Sequence, residues 1–374
     1  MKVLFILPII GQPFCSKRID MLIDQGFDVR ALAFERALPV ARLPACEIKS
    51  LGFISNEKYF ARVPVLLRSL PVIRRELADA DVAYCFGIDL AVLALLCSVG
   101  RKCGIALELA DIRDLQTRSS LTGRLFRRFD RWLGNRLDLI SVTAPDFLNI
   151  YYREWLGVTT RGLVIENKLE NEHAEEAKRA ACSTPSTAST NKITIGYFGL
   201  LQSRWSWRVL KELARRCSET HEIVLAGHPL RIDDIETTAD ELSNVTFLGS
   251  YRSPDDLASL YARVDIVWGC YSPFDPEDWN LRWARPNRFY EACAYETPLI
   301  SRDESNDGRV VANENIGLVM DQREVEGAVE KLQSVSRVDI DLWRKNMAAL
   351  PKSVYTYVDE AELLSTALRD IGGR

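Results

Sequence analysis

The sequence predicts an α/β protein of two domains. Its 374 residues exceed what one ordinary core organises. Strand, loop and helix patterns run from residue 2 to residue 167 and start again at residue 193. Between them, Glu170 to Lys192 is charged and then rich in Ser, Thr and Pro, as an exposed connection is. The expected organisation is a domain over 1–167, a linker over 168–192, a second domain over 193–350, and a C-terminal helix within 351–374 that crosses back to the first domain.

Composition narrows the class. With 47% hydrophobic and 27% charged residues and a net charge of -4, the chain reads as soluble and globular, which excludes disorder and fibres. The charge is uneven: residues 1–167 carry 23 Lys+Arg against 18 Asp+Glu, the remainder 25 against 34. Nucleic acid is not an expected partner. The nine cysteines form no CxxC pair and sit mostly in apolar runs, as small core residues of a reduced compartment do. His173, His221 and His228 have no metal-ligand spacing, so no metal site is expected and a Ser-His-Asp triad has little to build on. The first apolar run, Val3 to Ile10, is too short to span a membrane and is followed by Gly11 and Pro13, which favours a buried strand and a cytoplasmic protein.

In chain order, Lys2 to Pro8 is a continuous apolar strand, followed by a loop, an amphipathic helix closing at Gln25-Gly26 and a second strand over Asp28 to Phe34. Gly11 falls where a chain leaving a sheet's carboxyl edge approaches a ligand, although a glycine in a turn needs none. The GxGxxG fingerprint is absent, which argues against a dinucleotide dehydrogenase. Lys58 to Leu77 and Thr117 to Arg136 mix arginine with bulky apolar residues, the second holding six Arg, two Phe and one Trp. Each reads either as a solvated helix or as a face resting on anionic lipid. Asp81 to Phe86 is a strand, followed by an apolar helix from Leu90 to Val99 and a second strand that starts at Ile105 and runs through Glu108 and Asp111 to Asp114. The second strand ends in acids. Carboxylates at the carboxyl ends of parallel strands face the ligand crevice, so Asp111 is the nominated general base, with Asp89, Glu108 and Asp114 as rivals. For any one of them, a cap or loop ion pair is the alternative.

The second half restarts with a strand over Ile193 to Phe198, a glycine turn at Gly199, and a loop carrying Arg204 within reach of a phosphate. Ile223 to Gly227, Val245 to Gly249 and Val264 to Gly269 are further strands, with a helix over Asp256 to Arg263. The aromatic and polar loop from Cys270 to Arg285 offers Tyr271, Asp275 and Trp283 as contacts for a sugar. Next comes Arg285-Pro-Asn-Arg-Phe-Tyr-Glu-Ala-Cys-Ala-Tyr-Glu-Thr-Pro-Leu-Ile-Ser301. Pro286 and the N-cap preference of Asn287 start a helix that Pro298 stops, giving a helix from about Arg288 to Glu296. Its free N–H groups, with Arg285 and Arg288, suit a diphosphate, and Glu291 one turn on could accept hydrogen bonds from ribose hydroxyls. The alternative is a surface pair between Arg288 and Glu291.

Taken together, Ile195-Gly-Tyr-Phe-Gly199, Ile223-Val-Leu-Ala-Gly227, Val245-Thr-Phe-Leu-Gly249, Leu260-Tyr-Ala-Arg-Val-Asp265, Pro286-Asn-Arg-Phe-Tyr-Glu291 and Thr297-Pro-Leu-Ile300 make the second half resemble the nucleotide-binding domain of GT-B glycosyltransferases. The similarity is to the family 4-like group that builds bacterial polysaccharides. It implies a GT-B fold, two Rossmann-like domains facing a central cleft, with the first domain taking the acceptor. It implies transfer from a UDP- or GDP-sugar to a glycan acceptor, such as one carried on polyprenyl diphosphate, with no further cofactor. It places Glu291 on the donor ribose and Arg288 and Arg204 near the diphosphate; Asn287, Arg285, Gly199 and Tyr271 are donor-side candidates, and Gly11 and Asp89 acceptor-side candidates, from their own positions in the sequence.

Two departures matter. Retaining family members carry a glutamate eight residues before the one matched by Glu291, and Trp283 stands there, which leaves retaining and inverting reactions both open and makes an inverting one with Asp111 as base credible. Leu200 stands where the family has an arginine after the first glycine. The rival readings are a sugar-nucleotide 2-epimerase and a glycosyltransferase-like binding subunit without chemistry. The expected location is cytoplasmic, with peripheral contact on the inner face of an anionic membrane.

Overall fold

The computed structural model describes every residue except 38–41, 55–58, 184–191, 272–278 and 374. Two compact units result. The first comprises Met1–Asn167 and Asp359–Arg374, the second Lys168–Val358.

The first unit is built on a seven-stranded sheet: β1 (Lys2–Leu7), β2 (Asp28–Glu35), β3 (Glu47–Phe53), β4 (Val82–Phe86), β5 (Gly104–Leu109), β6 (Leu139–Val142) and β7 (Gly162–Val164). The order is β3-β2-β1-β4-β5-β6-β7, and every pairing is parallel. Helices α1 (Pro13–Asp24), α2 (Tyr59–Glu76), α3 (Ile88–Cys97), α4 (Asp114–Thr117) and α5 (Leu121–Gly134) cross over between strands. Because helices cover both faces of the sheet, β1, β4 and β5 can be apolar at nearly every position. The C-terminal helix Glu360–Gly372 packs across β4, β5 and β6 of this unit.

The second unit repeats the plan with six parallel strands: β8 (Ile193–Leu201), β9 (His221–Pro229), β10 (Val245–Phe247), β11 (Ile266–Trp268), β12 (Leu299–Arg302) and β13 (Gly317–Met320), in the order β10-β9-β8-β11-β12-β13. Its helices are α6 (Asn171–Ser183), α7 (Arg204–Arg216), α8 (Ile235–Glu241), α9 (Leu257–Tyr261), α10 (Trp279–Trp283), α11 (Asn287–Ala294), α12 (Asn306–Glu314), α13 (Val325–Gln333) and α14 (Arg337–Ala348). One face of the sheet carries Tyr197, Trp207, Leu210 and Trp268, the other Phe198, Tyr261, Phe289 and Tyr290. The strand order reverses at β8 and β11, and the crevice outside the carboxyl ends of such a pair is where open α/β sheets bind ligands.

Four expectations need correction. The stretch after Asn167 is not wholly an exposed connection, since α6 buries Ala174 and Ala177 in the second core. The segment 351–374 divides at Asp359, only the helical part joining the first unit. Asn287 is the first residue of α11 rather than its cap; the cap position is Pro286, and the helix ends at Ala294, with Glu296 in the left-handed region at φ 51°. Gly199 lies inside β8 rather than in a turn after it.

Candidate functional site

The second unit gathers its unusual electrostatics where β8 and β11 part. Helix α11 begins there because Pro286, with extended backbone, leads into it, and its first two turns bury Arg288, Phe289, Tyr290 and Glu291. Arg288 is only 8% exposed. Its Nη1 donates to the carbonyl of Trp268 at the end of β11 (2.9 Å), and its guanidinium lies 5.2 Å from the ring centroid of Tyr197 and 5.8 Å from that of Tyr271. Among the described residues it forms no ion pair with a carboxylate. Buried charges are ordinarily paired, whereas this cation is held by ring faces and one carbonyl, which leaves its net charge intact.

Glu291, one turn further, is 6% exposed and accepts a hydrogen bond from the Tyr261 hydroxyl (3.0 Å). Tyr251, Tyr261 and Tyr295 surround this carboxylate. Burial first, and the Glu291 charge second, push the Tyr251 and Tyr295 hydroxyls up to about 12, and Tyr261 moves in the same direction. The alternative of a surface pair between Arg288 and Glu291 is overturned, because both side chains are buried and Arg288 pairs with no carboxylate among the described residues.

Around this pair, Arg285 donates to Asn306 Oδ1 (2.9 Å) and lies 4.6 Å from the Phe289 ring centroid. Tyr271 is half-buried against Arg288, and burial raises its hydroxyl. Gly199 pairs with Gly227, and a Cβ at Gly227 would stand 1.9 Å from the Gly199 carbonyl, so the close approach of β8 and β9 at this edge requires glycine. Arg204 is directed elsewhere: its Nε donates to the Arg231 carbonyl (2.9 Å), and it lines a groove along α7 with Arg208 and Lys211. Trp283 is 2% exposed and packs 5.0 Å from Trp279, so the position of the missing glutamate holds a core residue. Asp275 lies outside the described residues. The structure therefore brings Arg288, Glu291 and Tyr271 together, and adds Tyr197, Tyr251 and Tyr261, whose hydroxyls and rings no local spacing connects to α11.

In the first unit the nominated acids separate by environment. Asp111 follows β5 and is exposed. Glu108 is 1% exposed and belongs to the core: Arg18 Nη2 donates to its Oε1 (2.8 Å), Arg18 Nε to its Oε2 (3.0 Å) and Tyr84 to its Oε2 (2.6 Å). That network removes Glu108 as a candidate base. Asp89, second in α3, lies 3.6 Å from the Arg113 guanidinium, and Asp114 lies 3.7 Å from that of Arg118, both ion pairs of exposed groups. Gly11 turns the chain after β1 at φ 78°, and its carbonyl accepts from the Arg42 N–H (3.2 Å). No group of three or more His, Cys, Asp or Glu is placed to hold a metal ion among the described residues.

No protein-family profile matches the chain. It is 27% identical over 334 residues to the succinoglycan biosynthesis protein ExoL of Rhizobium meliloti, covering 87% of this chain and 82% of that protein. The Anabaena protein HepE, solved in complex with UDP, superposes with a TM-score of 0.69 at 14% identity, over 99% of this chain and 100% of HepE. The lipopolysaccharide outer core galactosyltransferase WaaB superposes with a TM-score of 0.66 at 13% identity over 99% of both chains. The chain thus shares the GT-B fold of these glycosyltransferases and is similar in sequence to a polysaccharide biosynthesis protein.

Proposed function

We propose that this glycosyltransferase moves a sugar from a nucleoside-diphosphate sugar, with UDP the favoured nucleotide, to a lipid-carried glycan acceptor during bacterial polysaccharide assembly. The single observation that carries the donor assignment is Arg288: a buried guanidinium with no carboxylate partner among the described residues, at the start of a helix and one turn from a buried carboxylate. The diphosphate belongs at Arg288 and the N-terminal end of the α11 dipole, the ribose hydroxyls at Glu291. Support for UDP comes from HepE, solved with UDP and with UDP-glucose; support for polysaccharide assembly comes from the naming of ExoL.

In the proposed reaction the acceptor oxygen attacks the anomeric carbon while the bond to the nucleotide's β-phosphate oxygen breaks. The electron pair stays on that phosphate, stabilised by Arg288 and the α11 N-terminus, and Asp111 takes the acceptor's proton. The positive charge of Arg288 supplies what a metal ion would otherwise supply, so turnover is expected without added metal. A lipid-borne acceptor places the reaction at the inner, anionic membrane surface, with the protein peripheral to it.

The test is a thermal-shift panel of UDP, GDP, UDP-glucose, UDP-glucuronate and GDP-mannose on the wild type and Glu291→Ala. One nucleotide class is expected to stabilise the wild type and to lose that effect in the variant. If no nucleotide stabilises the wild type, the donor assignment fails.

A further inference from the structure

Helix α5 carries a surface the transfer chemistry does not use. At roughly 100° per residue, Leu121, Leu125, Phe129 and Trp132 fall within an arc of roughly 80°. All four are exposed, Leu121 at 73% and Leu125 at 56%. The Phe129 and Trp132 rings stack at 5.8 Å, and the Arg136 guanidinium lies 4.7 Å from the Trp132 ring centroid. Along one edge of this stripe stand the exposed Arg124, Arg128 and Arg131. The acid of the helix, Asp130, is fully buried on the opposite face, where Gln116 and Tyr151 donate to it. Arg127 is not part of the exposed edge: its Nη1 donates to the carbonyls of Gln116 and Arg118 and pins α5 to α4.

We infer that the exposed face of α5 docks on an anionic lipid bilayer, with Leu125, Phe129 and Trp132 entering the acyl boundary and Arg124, Arg128 and Arg131 among the headgroup phosphates. A continuous apolar stripe of aromatic and leucine side chains is costly in water and marks an interaction surface. Charge selects the occupant. The exposed face has arginines and no acid, which complements a negatively charged surface and repels a second copy of itself. Arginine and tryptophan flanking an apolar stripe also match the chemistry of the bilayer interface, apolar below and anionic above. No helix among the described residues is long and apolar enough to cross a membrane, so the contact is a helix lying in the interface. The inference deepens the lipid-borne acceptor reading on which it rests, by naming the surface that brings the protein to its acceptor.

The test is flotation of the full chain with vesicles of phosphatidylcholine alone and of phosphatidylcholine with phosphatidylglycerol. Wild type is expected to bind the anionic vesicles, more weakly as salt rises, and to leave the neutral ones largely unbound. The triple variant Arg124→Gln, Arg128→Gln, Arg131→Gln is expected to bind roughly 100-fold more weakly, about fivefold per arginine. Leu125→Glu with Phe129→Glu is expected to abolish binding. Both variants keep the unfolding temperature of the wild type, because the altered side chains are exposed. Wild type that fails to float with anionic vesicles, or variants that float as it does, overturn the inference. So does a sedimentation experiment showing a dimer that the same glutamates dissociate, which assigns the face to a second copy. Nucleotide thermal shifts measured on the same samples keep a failure of the donor assignment separate from a failure of this surface.

Discussion

Replacing Glu291 with glutamine separates its structural duty from its proposed duty to the nucleotide. In the folded chain the carboxylate is 6% exposed and satisfies the hydroxyl of Tyr261, itself 3% exposed. Alanine removes that acceptor and leaves a buried donor unmet, at a cost of about 1–3 kcal/mol. For a unit of this size that lowers the unfolding temperature by roughly 2–12 °C. Glutamine keeps a carbonyl for Tyr261 and nearly the same volume, so its unfolding temperature stays within a few degrees of the wild type. What glutamine loses is charge. A hydrogen bond from a ribose hydroxyl to a carboxylate is stronger than one to an amide by about 1–1.5 kcal/mol, and two such bonds make UDP binding about 30–150-fold weaker. Titration calorimetry with UDP, beside thermal unfolding without ligand, reads both effects. A second ligand sharpens the result: 2′-deoxy-UDP should bind the wild type more weakly than UDP and show a smaller deficit against Glu291→Gln. Equal affinity of the wild type for UDP and its deoxy form, or a glutamine variant that binds UDP as the wild type does, refutes the ribose assignment.

Four further variants have outcomes of their own. Arg288→Met should keep or raise the unfolding temperature of the ligand-free protein, because it removes a buried charge without a carboxylate partner among the described residues, while UDP affinity measured by calorimetry falls about 100-fold. Asp111→Asn should lower turnover about 10²–10⁴-fold in a transfer assay with UDP affinity and unfolding temperature unchanged, whereas Glu108→Ala should lower stability by about 3–5 kcal/mol in thermal melts because it strands buried Arg18. Burial pushes the Asp130 carboxyl from 3.8 up to about 6, so in the folded state it holds its proton across a range where the unfolded chain has lost it. Its contribution is fully present below about 3.8 and lost as pH rises through about 6, a swing of about 3 kcal/mol; Asp130→Asn should therefore raise the unfolding temperature at pH 7.5 and leave it unchanged at pH 4.

The alternation of strands and helices was legible because parallel strands buried on both faces are continuous apolar runs, as in Val3 to Leu7 and Ile105 to Leu109. The helix carrying the site was legible from its punctuation, Pro286 before it and Pro298 after, though its start fell one residue earlier than the N-cap preference of Asn287 suggests. Helix α6 was hidden because its buried positions include Ala174 and Ala177 amid charged residues, which leaves little apolar periodicity. Edge strand β3 was hidden because most of its side chains are at least partly exposed. Long-range partners carry no local signal at all. Glu108 and Asp111 end the same apolar run three residues apart, and what divides them is Arg18, 90 residues away, on Glu108. The tie from Tyr261 to Glu291 spans 30 residues and is equally invisible in spacing.

The tyrosines explain how one helix can hold a cation and a carboxylate a single turn apart without the two cancelling. A carboxylate against Arg288 would neutralise it and compete with any incoming phosphate. The faces of Tyr197 and Tyr271 instead stabilise the guanidinium through their ring quadrupoles and leave its net charge intact. On the other side of the turn, the Tyr261 hydroxyl orients Glu291 by donating one hydrogen bond, which fixes the carboxylate without discharging it. Burial strengthens both charges toward a ligand, because little water screens them. In the proposed donor complex the diphosphate faces Arg288 and the ribose hydroxyls face Glu291, about one helical turn apart. Phenylalanine at 261 should thus leave Arg288 untouched while loosening Glu291, lowering affinity for UDP several-fold but not affinity for inorganic diphosphate. Equal losses for both ligands would show that Tyr261 supports the whole helix rather than the carboxylate alone.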